Sequence, residues 1–104
     1  MSQIYGGGFI TVTTAGTTIT TSGTSASAAI PVASDGNRPR FIRVASRNEA
    51  YVKLGTSGVA ATTNDILVQP ADSVILAVPN GITHIAAIQG VSAGAVNIVP
   101  LENI

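Results

Sequence analysis

Along much of the chain, apolar and polar positions alternate in short runs separated by turn residues. In 40–47 the aliphatic positions are Ile42 and Val44, and in 50–55 they are Val52 and Leu54. Successive side chains of a strand point to opposite faces, so these four read as inward and Arg43, Tyr51 and Lys53 as outward. Asn48-Glu49 lies between the two runs and reads as the turn of a hairpin. Further strand-length runs occupy 9–13, 17–21, 26–32, 65–69, 73–78, 82–89 and 95–99. Asp35-Gly36-Asn37, Thr56-Ser57-Gly58, Pro70-Ala71-Asp72 and Pro79-Asn80-Gly81 supply the turn chemistry between them. The run 73–78 is nearly continuous in apolar residues, as a strand covered on both faces would be.

Gly and β-branched residues interrupt every window long enough for a helix. The pattern therefore predicts an all-β, single-domain antiparallel β-sandwich, jelly-roll-like, of about eight short strands. Residues 1–8 end in Gly6-Gly7-Gly8 and read as a flexible N-terminal arm, with the sandwich domain over 9–104. For the Thr-rich stretch 9–24 a Ser/Thr/Gly linker is the alternative to two short strands.

Composition sharpens this picture at one point. Of the 104 residues 45% are hydrophobic and 10% charged, against roughly 25% charged in an average soluble domain. With a mean hydropathy of +0.43, apolar surface is expected to be covered by copies of the chain or by a larger assembly. The formal net charge is zero, so nothing draws the whole chain to nucleic acid or an anionic membrane. The absence of cysteine excludes disulfides, thiolate metal sites and a Cys nucleophile. The first residues show neither the basic nor the apolar region of a signal peptide, and no apolar run approaches the roughly 20 residues of a membrane helix. Synthesis in the cytoplasm, without membrane contact, is the expectation.

Candidate chemistry is sparse. His84 is the lone histidine, set among Ile and Ala, and reads as a surface or hydrogen-bonded residue. Asp35, Glu49, Asp65, Asp72 and Glu102 fall on turns and strand ends, where capping is their usual role. Asp65 and Asp72 flank one run and would need several backbone oxygens to hold a cation between them. No serine sits in a Gly-x-Ser-x-Gly elbow, and Gly6-Gly7-Gly8 lacks the Lys-Ser/Thr of a phosphate loop. The chain is expected to be no enzyme and to hold no cofactor or metal. The patterned polar feature is basic: Arg38, Arg40, Arg43, Arg47 and Lys53 carry every positive side-chain charge. On the expected hairpin, Arg43, Arg47 and Lys53 share the outer face, a candidate partner-docking patch whose alternative role is solvation. Too few aromatics accompany them for single-stranded nucleic acid.

Arg43-Val44-Ala45, the stretch Tyr51-Val52-Lys53-Leu54-Gly55-Thr56-Ser57-Gly58-Val59-Ala60-Ala61-Thr62, and Pro79-Asn80-Gly81-Ile82-Thr83-His84-Ile85-Ala86-Ala87-Ile88 followed by Ala95-Val96-Asn97-Ile98 resemble a pattern of small bacteriophage virion proteins. The resemblance spans residues 40–101 and consists of turn and strand residues, so it carries no catalytic residue across. Its nearest likeness is to head decoration (cement) proteins, compact β-sandwiches on the outside of the capsid, often trimeric. It implies a homotrimer bound to the major capsid protein or another virion protein, located in the virion after synthesis in a bacterial host. A head–tail or tail-associated component on the same module is the alternative. A carbohydrate-binding module comes third, because it would have to stack sugars on Tyr5, Phe9, Phe41 or Tyr51.

Overall fold

The computed structural model describes residues 15–34, 36–70 and 72–101. The expected arm at 1–8, the run 9–13, Asp35 and Glu102 lie outside the described residues. The elements are β1 (Thr17–Thr20), β2 (Ala26–Ala29), β3 (Phe41–Ser46), β4 (Ala50–Gly55), β5 (Ile66–Val68), β6 (Val74–Ala77), β7 (His84–Gln89) and β8 (Ala95–Leu101). Each falls within or close to a run marked by the hydrophobic pattern, and no helix occurs among the described residues. The run 26–32 gives a shorter strand because Pro31 has no N–H for a ladder, while the Ile30 N–H leaves to the Thr83 carbonyl at 2.9 Å.

Two four-stranded antiparallel sheets result, β1-β8-β3-β6 (sheet one) and β2-β7-β4-β5 (sheet two). Successive strands seldom pair. β1 pairs with β8, β2 with β7, β3 with β6 and β4 with β5, as in one long hairpin folded at the β4–β5 connection and then wound up. Two further pairings, β3 with β8 and β4 with β7, close the sheets. Both sheets feed one core. Ile19, Ile42, Val44, Val96 and Ile98 come from sheet one, and Ala50, Val52, Val68, Ile85 and Ala87 meet them from sheet two. Burying a Val or Ile side chain stabilises by about 1.5–3 kcal/mol, and this cluster is the main source of fold stability.

Two expectations are corrected. The runs 40–47 and 50–55 do not form a hairpin: β3 lies between β8 and β6 in sheet one, and β4 between β7 and β5 in sheet two. The chain passes from one sheet to the other across Arg47–Glu49, residues that serve such a crossing as readily as a hairpin turn. The alternation itself holds, with Ile42, Val44 and Val52 buried and Arg43 and Lys53 exposed. The second correction is β6, which is an edge strand with Val74, Ile75 and Leu76 half-buried, not a strand covered on both faces.

Tight turns keep the connections short. The Val59 N–H bonds to the Thr56 carbonyl at 3.0 Å and the Ile82 N–H to the Pro79 carbonyl at 3.2 Å. Gly58 and Gly81 occupy the third positions of these turns with φ of 93° and 87°, a conformation that side chains with a Cβ rarely adopt.

Candidate interaction surfaces

The structure separates the basic residues. Arg43 is exposed on the outer face of sheet one, with Ile75 of β6 and Val99 of β8 opposite it. Lys53 is exposed on the outer face of sheet two, opposite Ala86 of β7. Arg47 is exposed at the β3–β4 crossing, where its backbone N–H bonds to the Ala95 carbonyl at 2.8 Å. Arg38 and Arg40 precede β3 at the other end of the sandwich, and the Arg38 guanidinium donates to Asn80 Oδ1. Arg43, Arg47 and Lys53 therefore form no common patch. The same two-residue period that turns Arg43 outward turns Lys53 outward too, but from the opposite sheet.

The other titratable groups serve structure. Asp65 accepts from the Thr62 N–H at 2.7 Å and from Thr62 Oγ1 at 3.2 Å, capping the turn into β5. Asp72 follows at the far end of β5, where its N–H bonds to the Gln69 carbonyl at 3.1 Å. Among the described residues no group of His, Cys, Asp or Glu gathers in the way a metal needs. His84 is half-buried, with Nδ1 2.7 Å from Thr83 Oγ1.

One end of the sandwich is tied by Asn48 and Glu49, which the sequence pattern marked only as turn formers, and by Thr21, which it placed in a strand. The Glu49 carboxylate accepts from the Val91 N–H at 3.2 Å, and its carbonyl accepts from the Gly90 N–H at 3.0 Å. Asn48 Nδ2 donates to the Ala93 carbonyl at 2.6 Å, and Thr21 Oγ1 accepts from the Gly94 N–H at 2.8 Å. The β7–β8 loop is thereby held to both neighbouring crossings, and Val91 stands 85% exposed at its tip.

A further surface feature is a groove of about 540 Å³ on the side of the sandwich where β5 and β6 are the edges. Val52, Leu54, Ile66 and Leu76 supply apolar lining, and Lys53 and Asp65 supply charge. The groove explains Leu54, which is expected inward but only half-buried. β5 pairs with β4 at Ala50, Tyr51 and Val52 alone, so Lys53, Leu54 and Gly55 have no ladder partner from β5 and the inner face opens there. Ile66 is left 51% exposed and Leu67 36%. No family model, curated protein or solved structure matches the chain.

Proposed function

We propose that this chain is a structural component of a bacteriophage virion, a decoration protein that binds the outside of the head and strengthens it without chemistry. The strand orders are read as a jelly roll, β1-β8-β3-β6 against β2-β7-β4-β5, an architecture used in capsid domains. The observation that carries the proposal is the open apolar groove, with Ile66 and Leu67 of edge strand β5 exposed beside it. A chain with so few charges gains by covering such surface in an assembly. The resemblance of residues 40–101 to small virion proteins supplies the setting, and the acceptor is the major capsid protein or another virion protein. Arg43 and Lys53 leave the outer faces of opposite sheets, so at most one of these two faces the shell in a given docked orientation.

The test adds purified protein to heads that lack it and follows occupancy together with the temperature of genome release. Saturable binding with a raised release temperature is expected. Failure to bind heads, with recovery on isolated tails, overturns decoration in favour of a tail-associated component.

A further inference from the structure

We infer that Asn80 is a self-modification site: its side-chain amide is converted to an acid by the chain's own backbone and water, with Arg38 promoting the step. The attack on such an amide comes from the backbone nitrogen of the following residue, and a side chain on that residue hinders it. Asn37, Asn48, Asn64 and Asn97 are followed by Arg38, Glu49, Asp65 and Ile98, whereas Asn80 is followed by Gly81.

The fold adds conditions that the dipeptide alone lacks. Asn80 and Gly81 are both exposed in the connection between β6 and β7, so water reaches them. The Ile82 N–H closes the turn on the Pro79 carbonyl, and among the described residues the Gly81 N–H takes no partner. Even a Cβ at Gly81 would meet nothing within 4 Å, so the Asn80–Gly81 peptide can swing toward the side chain without collision. The Arg38 guanidinium donates to Asn80 Oδ1. A charged donor on that oxygen draws electrons from Cγ and stabilises the oxyanion formed when Cγ is attacked.

The Gly81 nitrogen gives its proton to solvent and bonds to Asn80 Cγ while negative charge collects on Oδ1 beside Arg38. The Cγ–Nδ2 bond then breaks, and Nδ2 takes a proton from solvent and leaves as ammonia, closing a cyclic imide. Water adds to either imide carbonyl and breaks its bond to the Gly81 nitrogen, which regains a proton. Opening at Cγ leaves aspartate at position 80, and opening at the backbone carbonyl leaves isoaspartate, with an added main-chain carbon. In sum, amide and water become acid and ammonia, and no other reactant is needed. Converting one amide to a carboxylate takes the formal net charge from zero to −1. The new carboxylate lies against Arg38, so a hydrogen bond to a neutral amide becomes an ion pair. That pair joins the β6–β7 connection to the segment entering β3, where the Val78 N–H already bonds to the Arg40 carbonyl at 2.8 Å. The inference needs only the chain itself and stands or falls apart from the virion reading.

Incubation of the folded full chain in neutral buffer, followed by peptide mass spectrometry, tests it. Acid is expected to accumulate at position 80 ahead of Asn37, Asn48, Asn64 and Asn97. Arg38→Ala, on an exposed side chain, should slow the conversion by about threefold, the scale of one exposed charge contact. Arg38→Lys, which keeps the charge, should fall between the two. In urea the fold no longer brings Arg38 to Asn80, so wild type and Arg38→Ala should react alike. No acid at position 80, faster conversion at another asparagine, folded variants as fast as wild type, or a dependence on Arg38 that persists in urea each overturn the inference.

Discussion

Thr21 sits 2% exposed just after β1, with Oγ1 accepting the Gly94 N–H and its own N–H bonded to the Gly94 carbonyl at 2.9 Å. Replacing it with Val keeps the shape and deletes the acceptor, which strands a donor in a partly buried place. Thr21→Val should destabilise by about 1–3 kcal/mol, while Lys53→Ala, on an exposed face, should stay within about 0.5 kcal/mol. Urea unfolding of the two variants beside the wild type measures the difference, and equal costs would deny the hydroxyl its role. Thr21 also marks what residue-level reading cannot reach. In the sequence it is one of many threonines, and only the return of the chain at Gly94 distinguishes it. Ile42, Val44 and Val52 were legible because alternation alone dictates the face of a strand. Leu54 obeyed the same alternation, yet its burial depends on how far β5 extends, which no local pattern encodes.

Strands were readable from the sequence, and their partners were not. A two-residue period states which side chains share a face, but says nothing about which strand lies alongside. Asn48-Glu49 looked like a hairpin turn because turn residues suit any reversal. Their side chains instead bind the β7–β8 loop, a contact made by residues more than forty positions away. Likewise 73–78 looked like a central strand because its apolar residues face both ways, whereas one face of β6 meets the core and its free edge borders the groove. Paired cysteines test this arrangement, since the natural chain has none. Arg43 and Val99 are direct cross-strand partners, within the Cα spacing of about 4.4–6.8 Å that a disulfide accepts. Arg43→Cys with Val99→Cys should therefore oxidise within one chain. Arg43→Cys with Lys53→Cys should remain as thiols within the chain, because those side chains leave opposite faces of two sheets about 10 Å apart. A ready intrachain disulfide in the second pair would restore the hairpin.

For the molecule as a whole, the pairing of β1 with β8 and of β2 with β7 makes the native contacts long-range in sequence. Loop-closure entropy then has to be met before those pairings return any stability, so folding should be slow for a domain of this size. Refolding from urea should take on the order of milliseconds to seconds, as in other all-β sandwiches, and a microsecond phase that recovers full structure would contradict the winding. Among the described strands β8 is made last on the ribosome. β8 lies between β1 and β3, so a growing polypeptide holds sheet one open until Ala95–Leu101 has emerged. A chain cut before Ala95 lacks the middle of that sheet and should fail to fold. Translation thereby acts as an inspection step: a copy that stops short of β8 cannot complete sheet one.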